Sequence, residues 1–274
     1  VTAVAQGDAV MRRPVTRVTG RSREVVEDAL AVERAVELRV DGRSLAVTLR
    51  TPGHDRELAL GFLANEGLLA AAADVVDVRV LPADCADAPD VLELRLAPGV
   101  VFDWTRLERH FVATAACGLC GRAHLDALRA GLAPVAAGPP IPVAKLLALP
   151  ARVRAEQAAF EATGGLHAAV WCDAALEPRA LREDVGRHNA VDKVCGWLLE
   201  SGRRPAGEGL LWVSGRAGAE LVLKAARAGI PAMAAVGAPS SLAVELAEAA
   251  GMTLAGFLRE GRMNVYAGTG RLGA

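Results

Sequence analysis

From Leu210 onward the chain repeats one pattern: a short apolar run, a turn, an amphipathic stretch and a glycine. Leu210–Ser214 reads as a strand, Gly215-Arg216-Ala217-Gly218 as a tight turn, Ala219–Ala228 as a helix and Gly229 as its stop. Pro231–Val236 is a second strand, Ser240 or Ser241 a helix N-cap, Leu242–Ala250 a helix, Gly251 its stop and Thr253–Leu258 a third strand. A β-α-β-α-β order predicts a parallel sheet with right-handed crossovers. Ligands of such sheets bind beyond the carboxyl ends of the strands, so the turns at 214–218, 237–241 and 259–264 are candidate ligand loops. The first two also open helices, whose free N–H groups suit phosphate. Ser214, Arg216 and Ser240 are the polar groups they offer. Gly-Arg-Ala-Gly lacks the Lys-Ser/Thr ending of a Walker loop, and a plain tight turn explains it equally well.

The N-terminal part reads differently. Residues 1–27 are polar and basic, with Arg12, Arg13, Arg17, Arg21 and Arg23, and predict a loose arm. Ala35–Val40 and Leu45–Arg50 flank Asp41-Gly42, a strong hairpin signal. A helix is expected over Arg56–Asn65, then strands over Val75–Leu81 and Val91–Leu96. A small α+β domain over residues 1–105 follows from this, with a larger α/β domain over 106–274. In the middle, Gly138-Pro-Pro-Ile-Pro142 is a connector, two short helices are expected over Val143–Leu149 and Ala151–Glu161, and His167–Asp173 reads as a buried strand.

Two clusters carry chemistry. Cys117-Gly-Leu-Cys120-Gly121 sits between an apolar run, Phe111–Ala116, and an expected helix over Arg122–Ala130. A thiol at a helix N-terminus meets unpaired N–H groups and the positive end of the dipole, both favouring thiolate. Redox or sulfur chemistry, half of a zinc site and a buried pair all remain open on spacing alone. The second cluster, Glu183-Asp-Val-Gly-Arg-His-Asn-Ala-Val-Asp-Lys193, enters a helix whose apolar face is Val191, Val194, Cys195 and Leu198. Asp184, Arg187, His188 and Asn189 gather donors and acceptors at its entrance. A solvated face is the bland alternative, but it would more often use Glu, Lys and Ala.

Composition excludes several classes. A net charge of −1 and 4% aromatic residues argue against a nucleic-acid coat, a polybasic membrane anchor or base-stacking platforms. Five cysteines are too few and too irregular for a disulfide framework, so Cys85, Cys172 and Cys195 are expected to be buried or inert. No apolar run reaches membrane-spanning length and no signal-peptide core is evident, which fits a reducing cytoplasm.

Five motifs in order, TAACGLCG (114–121), TGGLHAA (163–169), EDVGRHNAVDK (183–193), GIPAMAAVGAPSSLAVELA (229–247) and GFLREGRMNVY (256–266), resemble the FdhD family of formate dehydrogenase accessory sulfurtransferases. RTPGHDRELALGFLANEG (50–67) is similar to that family's N-terminal region, and the resemblance covers about residues 15–270. It implies a cytidine-deaminase-like three-layer α/β/α larger domain. It implies a sulfur carrier that takes persulfide sulfur from a cysteine desulfurase. The sulfur then passes to a molybdenum or tungsten cofactor bearing two pterin guanine dinucleotides, before that cofactor enters formate dehydrogenase. By motif, Cys117 carries the persulfide, Cys120 is the second thiol, and Phe257, Leu258, Arg259, Glu260, Gly261 and Arg262 match the dinucleotide-binding stretch. GDP is then a fragment mimic of the cargo, and a homodimer is a family-level expectation. The chain departs from the family at Gly218, where Ser is expected in the turn, and at Arg122, where Lys is common.

Two other classes compete. A zinc-dependent deaminase would need a glutamate in an H-x-E arrangement, and none occurs. Only one close cysteine pair exists, with His124 lacking a companion, so no zinc is expected. A non-catalytic cofactor chaperone would use the ligand loops alone and leave both thiols structural.

Overall fold

The structure is a computed structural model and describes residues 9–85, 88–105 and 132–273. Its first part comprises β1 (Val10–Thr19), β2 (Ser22–Ala31), β3 (Arg34–Val40), β4 (Arg43–Arg50), α1 (Asp55–Asn65), β5 (Val75–Leu81) and β6 (Asp90–Leu96). Then come β7 (Ile141–Pro142), α2 (Val143–Glu156), α3 (Ala158–Thr163), β8 (His167–Cys172), β9 (Pro178–Asp184) and α4 (Arg187–Glu200). The last part holds β10 (Leu210–Val213), α5 (Ala219–Arg227), β11 (Ala232–Ala235), α6 (Ser241–Ala249), β12 (Thr253–Arg259), β13 (Arg262–Ala267) and β14 (Leu272–Gly273). The expected helix over Arg122–Ala130 and the Cys117/Cys120 pair lie outside the described residues.

The C-terminal alternation folds as its spacing predicts, but as the centre of a larger mixed sheet. Strand order is β13-β12-β11-β10-β8-β9. β10, β11 and β12 are parallel, with Trp212 opposite Ala234 and Met233 opposite Leu254. The flanking pairs β8–β9 and β12–β13 are antiparallel. Their connections are too short for a crossover, so only antiparallel neighbours can form.

Alternating side chains send two cores to opposite faces of this sheet. Ala169, Trp171, Val213, Met233 and Leu254 pack with Val191, Val194 and Leu198 of α4, Leu221 and Val222 of α5, and Leu246 of α6. Ala168, Val170, Trp212, Ala232 and Ala255 pack with Leu146, Leu149 and Val153 of α2. Helices therefore cover both faces. α2 runs unbroken through Pro150, where two separate helices were expected. Its three buried apolar residues on one face supply the packing that offsets the lost hydrogen bond.

The smaller sheet has the order β4-β3-β6-β5, and Val36, Leu38, Leu92 and Leu94 pack on Leu60 and Leu63 of α1. Its first hairpin turns at Asp41 (φ 47°) and Gly42 (φ 78°), the left-handed pair that a two-residue hairpin loop requires. The expected loose arm is instead a hairpin: β1 and β2 pair in continuous register from Val10–Ala31 to Thr19–Ser22. Most of its side chains are exposed, so neither face shows the apolar alternation that marks a strand. It packs against α3. Cys172 and Cys195 are buried as expected, whereas Cys85 is exposed.

α1 of the smaller sheet lies on α4 of the larger one. The crossing is made by Gly61 and Gly196, whose missing side chains let the backbones approach. Polar ties surround it. Asn65 Nδ2 donates to Asp192 Oδ1 at 2.7 Å, and Lys224 Nζ donates to the same oxygen at 2.6 Å. Arg182 Nη2 donates to Glu57 Oε1 at 2.6 Å, with a second bond from Arg182 Nε to Glu57 Oε2. Burial raises the Glu57 carboxyl, but hydrogen bonds from Arg182 and His54 outweigh it and hold the group below the usual carboxylate range. A carboxyl depressed in the folded state contributes stability that is complete above its unfolded value of about 4.3 and is lost as pH falls through the folded value. Glu57→Gln is therefore expected to cost roughly 2–3 kcal/mol at neutral pH and to flatten the fall of stability below about pH 4. Denaturant unfolding across pH checks this, and an unchanged acid limb would refute it.

Candidate functional site at the carboxyl edge of the large sheet

Five segments far apart in sequence converge where β9, β10, β11 and β12 end and β8 begins. The order of the sheet brings them there, and main-chain bonds stitch the loops together. Gly237 N donates to Gly215 O at 2.8 Å, Ala217 N to Ala238 O at 3.1 Å, Ser240 N to Ala217 O at 3.1 Å and Phe257 N to Gly237 O at 3.1 Å. The first two turns expected to bind ligand thus lie side by side, and β12, which leads into the third, is tied to them at Phe257. Position 237 is tightly packed: a Cβ there would stand 3.0 Å from the Arg216 backbone, so the turn would have to give by a few tenths of an ångström.

Beside this edge, on the α2 face, lies a cavity of about 580 Å³. Ser214, Leu258, Arg259 and Glu260 line it, so four of the expected site residues share one space. Ser214 Oγ accepts from Ala168 N at 2.9 Å, which holds the hydroxyl at the mouth of β10. Arg259 Nη1 donates to Leu258 O at 3.0 Å and also to Val236 O, fixing the guanidinium against the ends of β11 and β12. Phe257 stands at the bulge of β12 with φ 52° and 43% exposure. A left-handed conformation is costly for a residue other than glycine. Gly261 (φ 76°) turns the chain into β13, and exposed Arg262 opens that strand.

The remaining expected residues divide. Arg216 is exposed on the first turn. Ser240 caps α6, its Oγ accepting from Ala243 N at 3.2 Å, and does not line the cavity. Asp184 is fully buried and engaged on every side: it accepts from Thr51 N at 3.1 Å, Gly186 N at 2.8 Å and Asn189 Nδ2 at 3.1 Å, and pairs with Lys193 Nζ at 2.8 Å. Asn189 also donates to Leu49 O at 2.7 Å. This knot fastens the 49–51 segment of the smaller sheet to the start of α4, and so presents Arg187 and His188 at the edge. Arg187 is exposed, while His188 Nε2 meets Glu220 Oε2 at 2.9 Å and holds that carboxyl below its ordinary range.

Sequence reasoning did not single out Arg154, Phe160, His167 or Trp212, which also line the cavity. The histidine lay within TGGLHAA, but the others sat in segments legible only as helix or strand. Arg154 stacks over the Phe160 ring at 4.4 Å and pairs with Glu161 at 3.0 Å. Glu183 accepts from Phe160 N at 2.8 Å and Ala159 N at 3.2 Å, capping α3; burial pushes its carboxyl up despite those bonds. Burial and the neighbouring Arg187 guanidinium push the His167 imidazole down, against Asp184. The edge therefore offers a roomy, mostly apolar cavity, fixed donors and an excess of positive charge, which suits an anionic ligand with a planar group. Among the described residues, no three His, Cys, Asp or Glu side chains gather as a metal site, and no helix is long and apolar enough to cross a membrane.

Comparison with known proteins agrees across most of the chain. The family model described as FdhD/NarQ family matches residues 31–273. A protein of Nocardia farcinica named sulfur carrier protein FdhD is 50% identical over 97% of this chain and 96% of its own length. One of the same name from Anaeromyxobacter dehalogenans is 49% identical over 99% and 96%. The crystal structure of a candidate formate dehydrogenase accessory protein from Desulfotalea psychrophila superposes with a TM-score of 0.75. It is 23% identical, covers 96% of this chain and 99% of its own, and so shares the fold.

Proposed function

We propose, since this chain belongs to the FdhD/NarQ family, that it acts as a sulfur carrier for formate dehydrogenase and holds its cargo at the carboxyl edge of the large sheet. The observation that carries this reading is the 580 Å³ cavity where Ser214, Leu258, Arg259 and Glu260 converge from separate loops. The cargo is the molybdenum or tungsten cofactor with two pterin guanine dinucleotides, and the cavity accommodates one nucleotide portion of it. Arg259 and the exposed Arg216 and Arg262 meet phosphate, and Phe257 offers its ring to a planar base.

Sulfur reaches the cargo through the thiols. The Cys117 thiolate attacks the outer sulfur of a persulfide on a cysteine desulfurase, the donor cysteine leaves as thiolate, and Cys117 becomes the persulfide. Attack by Cys120 on the inner sulfur of Cys117 then closes a disulfide and releases the outer sulfur at the sulfide level, which supplies the two electrons the transfer needs. Both residues lie outside the described segments. The reading also has a cytidine-deaminase-like layering for the larger domain over 106–274, a smaller domain over 1–105, action in the cytoplasm and the family-level expectation of a homodimer.

GDP is the simplest probe of the cargo site. Calorimetry is expected to give GDP binding in preference to ADP, and Arg262→Ala about tenfold weaker binding, roughly 1.4 kcal/mol, through one lost charge-assisted contact. Equal binding of ADP and GDP, or none of either, would overturn the cargo assignment.

A further inference from the structure

His167 is a cavity side chain to which neither the motifs nor the relatives' names give a role. It opens β8 at the same end of the sheet as Ser214 and lines the cavity with Ser214 and Arg259. Its ring lies along the Gly215 turn, with Nδ1 3.5 Å from where a Cβ on Gly215 would stand. Ser214 N donates to Ala168 O at 3.0 Å and Ala168 N to Ser214 Oγ at 2.9 Å, so the residue following His167 is locked to that turn. The imidazole therefore sits in a fixed place between the phosphate-suited turn and the cavity.

The charges facing it come from every neighbouring element. β9 supplies Asp184 and α4 supplies Arg187 and His188, while Arg259 and Glu260 from the end of β12 and Arg154 from α2 line the same cavity. Asp184 is neutralised by Lys193, His188 is matched to Glu220, and Arg154 is matched to Glu161. Among the described residues no carboxylate forms an ion pair with Arg187, Arg216 or Arg259. Burial above all, and then the Arg187 guanidinium, oppose a further proton and outweigh Asp184, so the free imidazole lies below its ordinary value. An arriving anion reverses the balance.

We propose that His167 is an anion contact of the cavity, and that it takes a proton from solvent as the diphosphate of a guanine nucleotide seats beside it. The inference rests on the cargo site assigned above and names a residue and a linkage for it. The linkage has a fixed sign: between the free and bound titration midpoints, binding takes up a proton and tightens as pH falls.

The test follows the imidazole Cε1–H resonance of His167 in the full chain by NMR, assigned through His167→Gln, across pH with and without saturating GDP. The expected midpoint lies below about 6.5 in the free protein and rises by about one unit or more with GDP. Calorimetry in two buffers of different ionisation heat is expected to show proton uptake near pH 6.5. His167→Gln should bind GDP with a shallower pH dependence than the parent; the nucleotide's own phosphate titration is common to both proteins and cancels. If GDP binds but the His167 midpoint stays put and the variant keeps the parental pH dependence, this inference falls and the cargo site stands. If GDP does not bind at any pH, both fall.

Discussion

Cells lacking their own accessory protein and supplied with the Cys117→Ser variant are expected to show formate dehydrogenase activity no higher than the uncomplemented background. Serine is nearly isosteric with cysteine, so the change removes a nucleophile and not a packing contact. A hydroxyl cannot form a persulfide, and a relay through this position must stop there. The same variant should keep GDP affinity and unfolding free energy within about 0.5 kcal/mol of the parent, because the exchange is nearly isosteric. Cys120→Ser should also impair maturation, to an extent set by how much the second thiol drives release. Incubation with a desulfurase and cysteine should load a persulfide on the parent and none on Cys117→Ser. A holder of cofactor that carried no sulfur would behave otherwise, because both serine variants would retain full activity. Full activity with Cys117→Ser would therefore remove the sulfur-transfer mechanism for this chain, even with the cargo site intact.

The second large effect is expected at the crossing of α1 and α4. A Cβ placed on Gly61 would stand 1.8 Å from the Asp192 carbonyl oxygen, and one on Gly196 would stand 1.9 Å from that of Glu57. Both obstacles are helix backbone, so no side-chain rotation relieves them and the helices must separate. Gly61→Ala and Gly196→Ala are each expected to cost about 3 kcal/mol or more. The sign is informative, because in an isolated helix alanine is better than glycine by about 1 kcal/mol. Separation would also disturb the bonds joining Asn65 to Asp192 and Arg182 to Glu57, so the loss should exceed a simple steric cost. Thermal unfolding measures it. A midpoint within about 2 °C of the parent for either variant would show that the helices are not in this contact in solution.

Much of the architecture was legible because it is written in local periodicity. The strand and helix repeats from Leu210 to Leu258 each carry their own apolar spacing and their own glycine stop, and the structure places them as read. Asp41-Gly42 specified its hairpin for a similarly local reason: two successive residues had to accept positive φ. The family, too, was legible, since its motifs are contiguous runs.

What the sequence could not show are relations between distant segments. β1 and β2 read as a loose arm because both faces of their ribbon are largely wet, so no alternation marked them. Asp184 and Asn189 looked like ligand groups because a polar run at a helix entrance has the same composition whether it faces a ligand or a neighbouring loop. The fold turned both inward onto Thr51, Leu49 and Lys193. His167, Arg154 and Phe160 share the cavity with Ser214 and Arg259 only because the sheet order and α2 carry their separate segments to one edge. Gly61 and Gly196 are unremarkable in one dimension; their necessity arises where two helix backbones meet. Periodicity and turn chemistry act within about a dozen residues and are therefore readable from the chain. Burial, charge balance and close approach depend on partners brought together by the fold, and only the tertiary structure decides them.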